Sequence, residues 1–363
     1  MAEVSPGISR LSVAGYRSVR DLSLKLGRVN VLVGPNGCGK TNLYRAVGLL
    51  SAAAEGRFAA ALADEGGMPS ALWAGPRGKG PVRLTLGVEL DGIAFELAAG
   101  LPVPGATAFN LDPHLKEETL WLLQGRKKIE LLKRDNSTVI ARDHEGDRVT
   151  FPMMLSPSES VLASLREPQR FPVLSSVREE LRSWRFYHQF RTDSSSPLRH
   201  PQVGVRTAVL APDGRDLAAA LQTILEVGDA AALHESVGRA FPGARLEVEQ
   251  ADGRFSVSLH TPEFFRPFSS RELSNGTLHY FCLLAALLSP RPPSLLALNE
   301  PESSLHPDLI DPLALLIARA SRETQLWVTT HSDRLARAIQ KATGAAPITL
   351  GKVDGATRVV DRD

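Results

Sequence analysis

Apolar and polar residues alternate from Ile8 to Ala14 and again from Val19 to Leu26, with Gly15-Tyr16-Arg17-Ser18 between the two runs. Period-two alternation broken by a turn predicts a hairpin. Val29-Asn30-Val31-Leu32-Val33 is β-branched and apolar and predicts a buried strand, and Leu43, Ala46, Val47 and Leu50 then recur at helical spacing. Ser51 to Gly80 is rich in Ala and Gly and predicts a helix followed by a loose loop. Alternation returns from Pro81 to Leu97 around Asp91-Gly92, and from Thr119 to Phe151 with turns near Asp135-Asn136 and Glu145-Gly146. Residues 80–150 thus read as an antiparallel sheet.

Pro-rich breaks near 152–157 and 168–172 bound a short helix, and a second helix spans Val177 to Trp184. Arg191 to Val203 is Ser/Pro-rich and predicts a loop. A helical region follows over Arg215 to Phe241, with Leu217, Leu221, Ile224 and Leu225 on one face. Ala244 to His260 predicts a hairpin turning at Asp252-Gly253. Leu273-Ser274-Asn275-Gly276-Thr277 opens an amphipathic helix carrying Leu278, Phe281, Cys282, Ala285 and Leu288, and Pro290 stops it. Ser274 stands where an N-cap belongs. Ser294 to Leu298 and Gln325 to Thr330 are short apolar strands. There is no internal repeat and no sustained heptad pattern, so a long coiled coil is excluded.

Composition narrows the class. With 363 residues, 43% of them hydrophobic and 23% charged, the chain can bury a large core in two lobes or domains. A net charge of +2 carries no bulk basic signal for nucleic acid, though it leaves room for a local patch. Two cysteines, Cys38 and Cys282, make no disulfide framework. The longest apolar stretches, near 281–288 and 295–298, are too short to span a bilayer, and no charged, apolar leader is evident. The expectation is a cytosolic protein with no membrane role.

The chemistry concentrates at both ends. Gly34-Pro35-Asn36-Gly37-Cys38-Gly39-Lys40-Thr41 fits the phosphate-binding pattern G-x-x-x-x-G-K-[ST] in full, between a strand and a helix. Its glycines let successive N–H groups point at phosphate oxygens, and the helix N-terminus adds partial positive charge. Lys40 would reach the β- and γ-phosphates of a nucleotide and the Thr41 hydroxyl would ligate Mg²⁺. Near the other end, four apolar residues lead into Asn299-Glu300, the form of the second nucleotide motif. Glu300 would orient and activate the attacking water. His331, at the end of the last buried strand, would contact the γ-phosphate. Tyr16 and Arg17 either stack on a nucleotide base or pack the sheet.

The loop, LSNGT, LLALNEPESSLHP and VTTHS, in that order, resemble the four hallmarks of the ABC-type ATPase superfamily. Within it, LSVAGYRSVRDLSLKLGRVNVLVGPNGCGKTNL is similar to the RecF, SMC and OLD branch. The likeness covers roughly 1–50 and 270–335, while FYHQFRTDSSSPLR and LAPDGRDLAAAL look like the RecF-like ATPases of that branch. It implies an α/β P-loop NTPase fold: an ABC-ATPase head with a mixed core sheet, an antiparallel β lobe and a helical lobe. The expected divisions are 1–154 for the loop-bearing lobe, 155–272 for a mainly helical lobe, and 273–363 for the remaining motifs. The resemblance implies ATP and Mg²⁺, with Asn42 joining the loop in holding nucleotide. Ser274 and Gly276 would bind the γ-phosphate of ATP held by a second copy. Ser304 to His306 would cross the interface of an ATP-dependent homodimer.

Two departures stand out. Asn299 replaces the usual acidic residue beside the metal. The glutamine expected near the metal is Gln189, with Gln124 as the alternative. What the resemblance implies for function is ATP hydrolysis coupled to a DNA-associated process, repair, recombination or defence. The alternatives are a slow or non-hydrolysing nucleotide sensor that gates a separate effector protein, and a transporter subunit, against which the LSNGT ending argues. An OLD-type fused nuclease is not expected, with 32 positions beyond His331 in a chain of 363.

Overall fold

The computed structural model describes residues 7–76, 79–80, 82–151 and 155–360. Pro81 and the 152–154 part of the expected Pro-rich break lie outside them. In chain order the elements begin β1 (Arg10–Tyr16), β2 (Val19–Lys25), β3 (Val29–Val33), α1 (Lys40–Glu55), α2 (Phe58–Asp64) and α3 (Met68–Ala71). Six strands follow, β4 (Leu84–Leu90), β5 (Ile93–Gly100), β6 (His114–Gln124), β7 (Lys127–Asp135), β8 (Thr138–Arg142) and β9 (Arg148–Phe151). Next come α4 (Val161–Ser164), α5 (Pro172–Ser183), β10 (Arg185–Tyr187), β11 (Gln202–Val203), α6 (Leu217–Val227) and α7 (Ala230–Ala240). β12 (Arg245–Ala251), β13 (Arg254–His260), β14 (Phe268–Ser269), α8 (Asn275–Leu287) and β15 (Leu295–Asn299) precede α9 (Ile310–Ala320), β16 (Gln325–Thr330), α10 (Asp333–Thr343), β17 (Ile348–Val353) and β18 (Ala356–Val359).

These elements form two units, neither continuous in sequence. The first holds residues 1–28, 34–184 and 348–363. Its eight-stranded antiparallel sheet has the order β2-β1-β4-β5-β6-β7-β8-β9. β1 and β2 form the expected hairpin, and β1 also pairs along β4, Leu11 against Val88, which extends the sheet of 80–150. The alternation predicts strands; which neighbour each edge finds depends on contacts far along the chain. Under this sheet Arg134 and Glu118 form a fully buried ion pair at 3.0 Å, and Glu118 also accepts from the Val161 amide at the start of α4. Both charges are therefore hydrogen-bonded, as burial requires. α1 packs on α5, and its Leu43, Val47 and Leu50 are all buried.

The second unit holds residues 29–33 and 185–347. Its core is a parallel run in the order β10-β15-β16-β3. The register pairs Tyr187 with Leu298, Asn299 with Thr329, and Thr330 with Val33. All four strands therefore end at one edge, where parallel α/β sheets carry their ligand sites. β15 and β16 are buried at every position, as parallel strands covered on both faces are. The helix expected to be amphipathic, α8, is buried at every residue from Leu278 to Leu287. Its run LHYFCLLAAL has no polar face, so it forms the centre of this unit's core. Residues 155–272, expected to be mainly helical, hold α4 to α7 and also β10 to β14; the hairpin β12–β13 recruits β11 and β14 to the edge of β13 that β12 leaves free.

Among the described residues no helix is long and apolar enough to cross a membrane.

Candidate nucleotide site

The phosphate loop lies in the first unit. The chain leaves β3 at Val33, turns through Gly34 to Gly39 and enters α1 at Lys40. Gly39 is the N-cap of α1 with φ of 111°, a conformation that disfavours any side chain. A Cβ there would sit 2.1 Å from Thr357 Oγ1, and a Cβ at Gly34 would sit 2.3 Å from the Leu350 carbonyl oxygen. The hairpin β17–β18 therefore lies directly against the loop. Thr357 shares a hydroxyl hydrogen bond with Ser18 at 2.8 Å, and Asn42 Nδ2 donates to Ser18 Oγ at 2.8 Å. Asn42, expected to hold nucleotide, thus braces α1 against β2's leading turn. The loop's tip, Pro35, Asn36 and Gly37, is exposed, while Cys38 and Gly39 are buried.

Lys40 carries the decisive electrostatics. It is 4% exposed, and its Nζ donates to the Gly34 and Pro35 carbonyls at 2.7 and 3.2 Å. No carboxylate pairs with it among the described residues. A buried ammonium held only by carbonyls of its own loop lacks a counter-charge. No acidic residue occupies the first turn of α1. An anion such as a phosphate chain fits this arrangement.

The second unit carries the other motifs on the shared strand edge. Asn299 is buried, and its Oδ1 accepts from Thr329 Oγ1 at 2.7 Å on the neighbouring strand. Glu300 follows with φ of 49°, a left-handed conformation uncommon for a residue with a side chain. Its amide donates to the Thr329 carbonyl at 2.8 Å, which fixes the turn. His331 Nδ1 lies 3.6 Å from Glu300 Oε1 and 3.7 Å from Glu302 Oε1. Glu302 is nearly buried, accepts from Thr330 Oγ1, and accepts from the His331 amide at 3.3 Å. It is the site neighbour that sequence reasoning passed over. The signal was the second acid in Asn299-Glu300-Pro301-Glu302.

Gln189 is exposed, two residues beyond β10, on the same edge as Glu300 and His331. Gln124 ends β6 in the other unit's sheet. Tyr16 is fully buried and donates its hydroxyl to Glu65 Oε2 at 2.5 Å, so it packs the sheet and offers no face to a base. Burial first, then the Glu65 charge, push its pKa above the usual tyrosine value.

Ser274 caps α8: its Oγ accepts from the Thr277 amide at 3.1 Å. A Cβ on Gly276 would sit 2.5 Å from the Ser304 carbonyl oxygen, so glycine permits the signature turn to abut the segment after Glu302. His279, on the next turn, bonds through Nε2 to the Pro301 carbonyl at 3.0 Å. A cleft of about 640 Å³ opens beside Ser274, Gly276, Thr277, Ser304 and His306. No cluster of three metal-ligating side chains occurs among the described residues. Mg²⁺ bound with nucleotide phosphates needs only one or two protein oxygens, and the Thr41 hydroxyl in the first turn of α1 is of that kind.

Fold and motifs together define a P-loop ATPase domain, with a fold similar to that of SMC heads. Residues 29–337 match the family described as "AAA domain, putative AbiEii toxin, Type IV TA system", and the chain belongs to that family. Among curated proteins none matches. The fold is similar to an SMC head bound to the C-winged helix domain of ScpA, with 14% identity, 98% of each chain covered and a TM-score of 0.55. It is similar also to the Smc head with an extended coiled coil from Pyrococcus furiosus, bound to the C-terminal domain of ScpA. There the identity is 14%, the coverage 98% of this chain and 96% of the other, and the TM-score 0.52. The Smc head with coiled coil and joint from Pyrococcus yayanosii gives 11% identity, 98% and 97% coverage, and a TM-score of 0.51.

Proposed function

We propose that the protein binds and hydrolyses ATP, and that two copies pair head to tail around two nucleotides. The observation that carries this reading is Lys40, a buried ammonium at the start of a helix with no carboxylate partner among the described residues. In the proposed reaction a water oxygen attacks the γ-phosphorus while the bond from that phosphorus to the β–γ bridging oxygen breaks. ADP and inorganic phosphate result, and the Glu300 carboxylate takes the water proton. His331, held near Glu300 by Glu302, would stabilise charge on the γ-phosphate. Mg²⁺, when bound with the phosphates, would supply Lewis acidity toward their oxygens, and the resemblance implies Thr41, Asn299 and Gln189 as the residues that serve it. Ser274 and Gly276 would meet the γ-phosphate from the second copy. Nucleotide-driven pairing would then be coupled to a DNA-associated process, repair or defence, or to a separate partner protein. An SMC head among the similar structures is bound to a domain of ScpA, which supports the partner reading by analogy only.

Asn299 favours a second reading, a slow ATPase that works as a switch. Its side-chain oxygen is already engaged by Thr329 and brings no negative charge to the metal.

Complementation tests the composite site. Lys40→Ala should lose turnover alone, and Ser274→Ala should lose most of it while keeping a measurable remainder. Mixed, they should regain part of it, because a mixed pair has one site with an intact loop and an intact signature serine. A mixture no more active than Ser274→Ala alone, while both variants are folded, would contradict the shared site.

A further inference from the structure

We propose that Arg199 is a positioning residue that fixes the signature segment, and with it Ser274, in the orientation nucleotide capture requires. This rests on the reading of Ser274 given above. Arg199 ends a short 3-10 turn, Pro197–Arg199, inside the Ser/Pro-rich loop, and is 8% exposed. Its Nη1 donates to the carbonyls of Ser270, Arg271 and Leu273 at 3.1, 3.1 and 2.9 Å. Its Nη2 donates to Asn275 Oδ1 at 2.6 Å, on the first residue of α8. Its Nε donates to the Thr192 and Asp193 carbonyls at 3.0 and 3.1 Å. Ser270 Oγ returns a bond to the Arg199 carbonyl at 3.0 Å.

One guanidinium thus ties two loops that are about seventy residues apart, and among the described residues every partner is a neutral oxygen. A buried arginine without a carboxylate partner contributes little as an ion pair, so its fixed fork of donors is what the site uses. The acceptors lie at 270, 271, 273 and 275 and bracket Ser274. With its neighbours on both sides held, the serine's backbone has one direction, and its Oγ stays on the Thr277 amide. Lysine, a point charge with three donors and no fork, could not span this set.

The test combines hydrogen exchange with kinetics on the full chain. In Arg199→Met the Thr277 and Leu278 amides should exchange about tenfold faster or more, while core amides of β15 and β16 keep their protection. Arg199→Lys should fall between the two, and Asn275→Ala offers a milder variant should Arg199→Met fail to fold. In turnover, Arg199→Met should lower kcat about tenfold with little change in KM for ATP. Combined with Ser274→Ala it should add nothing further, because both act through the same group. Unchanged exchange at Thr277 and Leu278 would overturn the positioning role whatever the activity. Additive losses in the double variant would overturn the link to Ser274. Absence of turnover in the wild-type protein would instead sink the ATPase reading, and the exchange result would still decide for or against Arg199.

Discussion

Gly39 and Thr357 are 318 residues apart in sequence and in contact in the fold: a methyl group on Gly39 would lie 2.1 Å from the threonine hydroxyl oxygen. The C-terminal hairpin is thus the floor of the phosphate loop. Gly39→Ala faces two penalties, the positive φ and the overlap with Thr357, together worth about 1–4 kcal/mol. The loop will give way before the hairpin does, because its tip is exposed and Thr357 is buried. We expect ATP affinity to fall at least about tenfold with the circular dichroism spectrum unchanged. Wild-type affinity in Gly39→Ala, measured by titration calorimetry, would remove the hairpin from the account of the loop.

The Asn299 amide oxygen can be exchanged for a carboxylate without disturbing its bond from Thr329. At an effective dielectric near 20 and ~4 Å, the added attraction is about 4 kcal/mol per unit of metal charge before desolvation. Asn299→Asp should therefore shift the Mg²⁺ dependence of hydrolysis to lower concentration, with a smaller effect on ATP affinity. Faster hydrolysis at low Mg²⁺ would favour the switch reading of the natural protein. An unchanged titration would mean that the amide only positions water. Slower hydrolysis with the fold intact would contradict a metal site limited by missing charge.

His279 supplies a pH dependence. Burial lowers its pKa, and the bond to the Pro301 carbonyl only partly opposes this. The folded state thus disfavours the charged imidazole relative to the unfolded chain. Its contribution to stability is fully present above the ordinary histidine pKa of about 6.5 and is lost as pH falls through the lower, folded value. Urea unfolding at pH 7.5 and pH 5.5 should show wild type losing more stability on acidification than His279→Gln. Equal losses in the two proteins would show that this histidine does not titrate against folding.

The local motifs were legible because each is a run of consecutive residues whose chemistry is written in its order. Gly34 to Thr41, Asn299-Glu300 and His331 all sit where a strand ends, and the strands themselves follow from unbroken apolar runs. What pairing decides was not legible. β1 meets β4, and the three-residue β10 is too short to carry a pattern. Arg199 lies in a stretch that composition marks as a loop, and its acceptors are backbone carbonyls with no sequence signature. Thr357 follows an Asp354-Gly355 turn between two short alternating runs. That signal marks a hairpin and says nothing of the glycine it touches. The polar face that α8 lacks could have been counted from its sequence, since Leu278 to Leu287 carries only His279 and Tyr280 as polar positions.

The central claim is that ATP binding closes a pair and that Glu300 chemistry opens it. Glu300→Gln keeps the shape of the side chain and removes its capacity to take a proton. Light scattering on a size-exclusion column, with ATP and Mg²⁺ present, tests this most directly. The account predicts a Glu300→Gln species of twice the monomer mass that persists with ATP, returns to monomer when nucleotide is removed, and does not form in Lys40→Ala. A Glu300→Gln protein that binds ATP yet stays strictly monomeric would contradict it.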